Sequence, residues 1–202
     1  MIAKHLLAIN TASGSCNVGV SRDGFIYKSK EIIATRGYSE ILGPLIGSVL
    51  KESQVEVNQL SGFLVCNGPG NYTSLRIAIS MVRGLSLACN KPACSVSLFE
   101  LMSTKDTKAL VLVKGPAEKI YVQSFSLGIE VNSPRLMTVS EIKNTKEFFE
   151  SQTVGYRAGE IAKLIKSKSY LEVTEVTLEK LLAIGQKKLS PNCPKPVPIY
   201  IR

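Results

Sequence analysis

Ser61–Asn90, SGFLVCNGPGNYTSLRIAISMVRGLSLACN, holds in one continuous run a strand, a glycine–proline turn and the most hydrophobic helix of the chain. Gly62–Cys66 is an apolar run of strand length. Asn67, Gly68, Pro69 and Gly70 follow at once and break regular structure, because either glycine can take a positive φ. Thr73 or Ser74 is then placed to cap a helix over 75–89 with its side-chain oxygen. That helix has apolar positions at Leu75, Ala78, Ile79, Val82 and Leu85, and again on a second face at Ile77, Met81, Gly84 and Ala88. Only Arg76, Ser80 and Arg83 form a polar stripe. A helix apolar nearly all round is covered on more than one side. One side suits the chain's own sheet, and the other suits either a partner or a second layer of the same domain.

The 202 residues, 45% of them hydrophobic, can bury a core as one domain or two small lobes. No run reaches the roughly eighteen consecutive apolar residues of a membrane span. The opening MIAKHLLAIN meets charge too early for a signal peptide, so a cytoplasmic location without membrane attachment is expected. The five cysteines lack any C-x-x-C pair and sit mostly in apolar runs, as reduced core thiols do. His5 is the single histidine, so no metal site is expected. Residues 1–110 carry 11 basic and 7 acidic side chains, residues 111–140 carry 3 and 2, and residues 141–202 carry 11 and 7. The net charge of +9 is therefore spread evenly, without the basic stripe and aromatic platforms of a dedicated nucleic-acid surface.

Upstream of the opening stretch, His5–Asn10, Cys16–Ser21 and Phe25–Ile33 read as a three-stranded meander with an Asp23-Gly24 turn. A helix over 39–53 fills nearly half its circumference with Ile41, Leu42, Leu45, Ile46, Val49 and Leu50, and Pro44 predicts a bend about one turn in. Downstream, Ala93–Val96 is a short strand and a helix runs through Leu101. The pattern then starts over: strands at 109–113, 120–127 and 136–139, a helix from Ser140 ending near Phe148 and Phe149, a strand at 153–156, a helix at 158–165, a strand at 173–176 and a helix at 178–188. Strand, strand, strand, helix, strand, helix thus occurs twice. The expected organisation is α/β, with two ribonuclease-H-like lobes of the actin, Hsp70 and sugar-kinase class, the second reduced. The expected bounds are 1–106 and 107–190, with a proline-rich tail over 191–202.

In ATPases of that class, the turn after each lobe's first strand grips phosphate and carries an aspartate that holds magnesium through water. The matching positions here are Asn10, Thr11 and Ser13 in the first lobe and Lys114 and Gly115 in the second, possible only as degenerate phosphate loops. Neither carries the aspartate a hard cation needs. No G-x-S-x-G elbow and no Ser/His/Asp set exists, so no catalytic residue is assigned. Asn67, Gly68, Pro69, Gly70 and Thr73 read either as a plain strand-to-helix turn or as a backbone-amide surface for an anion or a carboxylate.

INTASGSCNVGV, ILGPLIGSVL, NGPGNYTSLRIAISMVRGLSLACNKPACSVSLFEL and the closing PIYIR resemble the bacterial TsaB (YeaZ) family, with Gly68–Ile77 standing for its G-P-G-x-[FY]-T-x-x-R-[IV] core. The resemblance is close over residues 6–101 and one of layout beyond. It implies a non-catalytic subunit of the complex that attaches a threonylcarbamoyl group to N6 of the adenosine beside the anticodon, in tRNAs reading codons that begin with A. It implies pairing with a larger TsaD-like catalytic paralogue, a TsaE-like ATPase docked near the pair, and tRNA contact made through the complex. It implies no cofactor of the chain's own, while allowing a nucleotide at a subunit interface. Three positions depart from the family: Asn10 replaces an aspartate, Gly37-Tyr38 replaces a histidine, and Lys114-Gly115-Pro116 replaces Asp-Ala-Arg. They count against a nucleotide-dependent role and leave the pairing helices intact.

On this reading the partner interface comprises Tyr38, Ile41, Leu42, Leu45, Val49, Arg76, Ile77, Ser80, Met81 and Gly84, and a chain without its partner would self-associate through the same patch. Two other classes of function stay open: a small-molecule kinase or ATPase working in an interlobe cleft, and an RNA-binding module.

Overall fold

The computed structural model describes residues 5–12, 14–33, 36–173 and 175–201. These divide into two compact units. The first takes the chain up to Ser97 together with Thr177–Ile199, and the second takes Leu98–Val176 with the last residues from Tyr200.

The first unit is built on β1 (His5–Asn10), β2 (Ser15–Arg22), β3 (Phe25–Ile33), β4 (Gly62–Cys66) and β5 (Ala93–Val96), in sheet order β3-β2-β1-β4-β5. β1 is central: Ile9 lies opposite Val18 of antiparallel β2, and Leu7 lies beside Phe63 of parallel β4. Both β1 and β4 are buried on both faces, which explains their unbroken hydrophobic runs. On one face, Leu7, Ile9, Val18, Phe63 and Val65 meet α1 (Tyr38–Ser53) and α2 (Tyr72–Cys89). α1 runs unbroken through Pro44. The opposite face is covered by α6 (Leu178–Lys188), where Gly185 packs so tightly on Leu64 that an added Cβ would stand 2.8 Å from Leu64 Cδ1.

This placement corrects the expected bounds of 107–190 for the second lobe. Leu178, Leu181, Leu182 and Gly185 form a single inward face of α6, and that face packs on the first unit's sheet. The expected tail behaves likewise: Asn67 Nδ2 donates to the Val197 carbonyl (2.9 Å), and Cys193 Sγ donates to that of Ala93 (3.2 Å).

The second unit has β6 (Lys108–Lys114), β7 (Ile120–Ser126), β8 (Ile129–Glu130), β9 (Arg135–Met137), β10 (Gln152–Gly155) and β11 (Tyr170–Leu171). Its order is β11-β10-β6-β7-β8, with β9 also on β7. β6 repeats the part of β1, antiparallel to β7 and parallel to β10. Its helices are α3 (Leu98–Met102), α4 (Val139–Asn144) and α5 (Ala158–Leu164). The expected long helix from Ser140 is shorter. Thr138 and Glu141 form a capping box that starts α4 one residue early, and Thr145 leaves helical geometry, so Phe148 sits in a separate 3₁₀ turn. Of the expected strand at 173–176, Thr174 lies outside the described residues and Val173, Glu175 and Val176 are not in a strand; the strand here is Tyr170–Leu171, which pairs with Thr153–Val154.

Candidate functional site

α1 and α2 lie side by side on one face of the first sheet, and their 3.6-residue period sorts their side chains into inward and outward sets. α1 turns Tyr38, Leu42, Leu45, Ile46, Val49 and Leu50 inward; α2 turns Leu75, Ala78, Ile79 and Val82 inward. Four of the expected interface residues, Tyr38, Leu42, Leu45 and Val49, are therefore core residues of the unit itself. They share the arc that faces β2 and β3. What remains outside is Ile41, Ile77 and Met81, half-buried against the core's margin, with Arg76, Ser80 and Gly84 exposed between and beyond them.

Two outward residues not read from the sequence belong to the same surface. A Cβ added at Gly43, Gly47 or Gly84 would meet nothing within 4 Å, so none of these three helical glycines is required by packing among the described residues. The i, i+4 spacing of Gly43 and Gly47 was the available signal. The strip is edged by Arg76, which stacks on Tyr72 at 3.8 Å and is hydrogen-bonded to its hydroxyl. Near the C-terminal end of α1 it is edged by the Lys30–Glu52 ion pair, whose hydrogen bond to Lys30 holds the Glu52 carboxyl below the usual carboxylate range.

At the other end of α2, the cap is Asn71 rather than Thr73 or Ser74. Its Oδ1 accepts from the Thr73 and Ser74 amides at 3.0 and 3.2 Å, which starts the helix at Tyr72 and makes Thr73 part of the first turn. The freed Ser74 hydroxyl donates to the Thr11 carbonyl (2.9 Å), and the Thr11 hydroxyl donates back to the Ser74 carbonyl (3.1 Å). Both residues are fully buried. Gly70 closes the contact: a Cβ there would stand 2.6 Å from the Ala12 carbonyl oxygen. Gly68 has φ +97°, and the Gly68–Pro69 peptide is cis. Asn67 is engaged by the tail through its side-chain amide and through its carbonyl, which accepts from Ile199. These bonds give the 67–73 segment the architecture of a packed turn.

The two expected phosphate loops are closed in the same manner. Asn10 is buried, and its Oδ1 accepts from the Ala12 amide (3.0 Å); Ser13 lies outside the described residues. In the second unit the Gly115 amide donates to the Lys119 carbonyl (3.0 Å), and Lys114 reaches over the Tyr156 ring at 5.8 Å. His5 Nδ1 lies 3.4 Å from the Ser21 carbonyl. Burial pushes the Cys16 thiol up to about 11 and raises Tyr38 beside it, so both are neutral near pH 7 and neither is an activated nucleophile. Among the described residues no group of three His, Cys, Asp or Glu side chains is gathered as a metal site, and no helix is long and apolar enough to cross a membrane.

Two units that each place a central strand between an antiparallel and a parallel neighbour, in the same five-strand order, define an α/β protein of the actin, Hsp70 and sugar-kinase class. The family model described as TsaD, tRNA N6-adenosine threonylcarbamoyltransferase, matches residues 31–188. The tRNA threonylcarbamoyladenosine biosynthesis protein TsaB of Buchnera aphidicola subsp. Acyrthosiphon pisum is 31% identical over 100 residues, 50% of this chain and 45% of that protein. Its Escherichia coli counterpart is 29% identical over 98 residues, 48% and 42% of the two chains. The match thus spans less than half the length of these curated relatives. The solved structure of YeaZ from Pseudomonas aeruginosa superposes with a TM-score of 0.75 at 18% identity, covering 98% of this chain and 100% of that one. The chain belongs to the TsaD family and, within it, to the TsaB (YeaZ) group.

Proposed function

We propose that the chain is a non-catalytic docking subunit of a tRNA-modifying complex, seated through the outer faces of α1 and α2 on a TsaD-like catalytic paralogue. The complex attaches threonylcarbamoyl to N6 of the adenosine next to the anticodon in tRNAs reading codons that begin with A. A TsaE-like ATPase joins the pair, and tRNA is bound by the assembly. The observation that carries the reading is the open strip on α1 and α2. It combines half-buried Ile41, Ile77 and Met81 with three helical glycines at which an added Cβ would meet none of the described residues within 4 Å, although each glycine costs roughly 0.5–1 kcal/mol relative to alanine in mid-helix. A partner helix lying against them accounts for that cost, because small residues let helix axes approach closely. A stable contact of this kind buries on the order of 800 Å² per partner.

The kinase or ATPase reading is weakened by the loops, where the Ala12 amide is taken by Asn10 and the Gly115 amide by the Lys119 carbonyl. The test is co-expression of the full chain with a TsaD-like paralogue, followed by affinity purification through high salt. A stoichiometric complex is expected. Clean separation of the two at micromolar concentrations refutes the assignment.

A further inference from the structure

Adjoining the docking strip, with which it shares Gly84, the C-terminal end of α2 opens into a cavity of about 550 Å³, within the size range of small-ligand sites. One wall is α2 itself. The other is the tail, with Pro191, Lys195 and Pro196, held in place by the Cys193–Ala93 and Asn67–Val197 hydrogen bonds. Three cations line it, Arg83, Lys91 and Lys195, and no carboxylate does. None of the three forms an ion pair within 4 Å among the described residues, whereas Lys30, Arg135 and Arg157 each have a carboxylate partner. Like charges gathered in one concavity raise the local positive potential. Two of the last four carbonyls of α2 are taken up by backbone amides: Leu87 O accepts from the Asn90 amide and Ser86 O from that of Lys91. Between the cations lies apolar surface, including Leu87, which is 84% exposed although it stands in a helix.

We propose that this cavity is a phosphate-binding site, taking a nucleotide unit whose phosphate is held by Arg83, Lys91 and Lys195 and whose base lies on the exposed Leu87 and Pro191. The unit has two sources, a free mononucleotide or one residue of an RNA strand. Guanidinium and ammonium groups supply charge-assisted hydrogen bonds to phosphate oxygens, and exposed aliphatic surface at Leu87 and Pro191 gives a base an apolar contact that does not read its identity. The proposal does not rest on the docking reading, and it is tested on the full chain without a partner, so the two fail separately.

The experiment titrates the full chain against a fluorescein-labelled 12-nucleotide single-stranded RNA and, separately, against fluorescein-labelled AMP, each at two salt concentrations, with unlabelled AMP and inorganic pyrophosphate as competitors. The double variant Lys91→Ala/Lys195→Ala removes two cations from the cavity, and Lys163→Ala/Lys168→Ala removes two exposed cations from the second unit. The cavity variant is expected to bind at least about tenfold more weakly, and its salt slope to fall by about 1.4. The control variant is expected to bind as the unmodified chain does. Competition by AMP and pyrophosphate assigns the site to a mononucleotide; binding of RNA without such competition assigns it to a strand. Absence of binding by the unmodified chain, or an equal loss in both variants, overturns the proposal. All four lysines are exposed, and equal thermal midpoints check that the fold is intact.

Discussion

Gly84 offers the sharpest separation between a residue kept for the fold and one kept for a partner. It lies in the last third of α2, is exposed, and a Cβ added there meets no atom within 4 Å. Replacing it by alanine relieves the helix of its most flexible backbone position, a gain of about 0.8–1.0 kcal/mol, and leucine has nearly the same helix propensity. For a chain of this size, 1 kcal/mol raises the thermal midpoint by roughly 2–4 °C. Both Gly84→Ala and Gly84→Leu are therefore expected to make the isolated chain more stable.

Pairing should move the other way. A leucine in a seam where helix axes lie about 8–10 Å apart overpacks it, at a cost of about 1–3 kcal/mol. That corresponds to roughly 5- to 150-fold weaker association. Alanine, one methyl larger than glycine, should fall between. The assays are thermal unfolding of the chain alone and calorimetric titration with the TsaD-like paralogue. A leucine variant that pairs with unaltered affinity refutes the docking surface. A variant whose midpoint falls refutes the openness on which the reasoning stands.

Met81→Glu places a charge on the same strip and should abolish co-purification with the paralogue; because Met81 also touches the unit's core, some thermal destabilisation should accompany it. Gly70→Ala forces a methyl to 2.6 Å from the Ala12 carbonyl and is expected to cost about 1–3 kcal/mol in denaturant unfolding. Ser74→Ala removes a buried donor to the Thr11 carbonyl and should lower stability by a similar 1–3 kcal/mol, measured in the same way. Cys16 gives a pH dependence. Its folded-state thiol titrates near 11, above an unfolded-state value near 9, so the folded chain retains the proton longer and stability falls as pH rises from about 9 to 11. The fall attributable to this thiol is on the order of 2–3 kcal/mol, and Cys16→Ala should flatten that part of the profile.

Much of this fold was legible because its central strands are buried on both faces and bounded by strong turn signals. His5–Asn10, Phe25–Ile33, Gly62–Cys66 and Ala93–Val96 stand where their composition puts them. Two-residue strands were not legible: Ile129–Glu130 has no period, and Tyr170–Leu171 was chosen over 173–176 by its register with β10. Asn71, Thr73 and Ser74 are all competent caps, and the choice fell to Asn71 because Ser74 is drawn into the bond with Thr11. The side of α1 and α2 left open by the unit was half legible. A stripe such as Leu42, Leu45 and Val49 looks the same in sequence whether it meets a sheet or another protein, and only the position of β2 and β3 decides between them. The glycines were the better marker, since a helical glycine without a local packing reason points outward.

The two units follow one strand order, and each forms a hydrogen bond within the turn after its first strand. At the turn after each first strand, where a nucleotide-gripping relative needs free amides and an aspartate, this chain has Asn10 bonded to Ala12 and Gly115 bonded to Lys119. A polar group already paired within its own turn offers a ligand little, because the ligand must first displace the existing bond. Apolar surface behaves differently. The strip along Ile41, Ile77, Met81 and the three open glycines is only partly covered by the unit's own core, and the remaining stabilisation is realised when something covers it. On the proposed docking role, the driving force for association lies on the outer helices rather than at the turns.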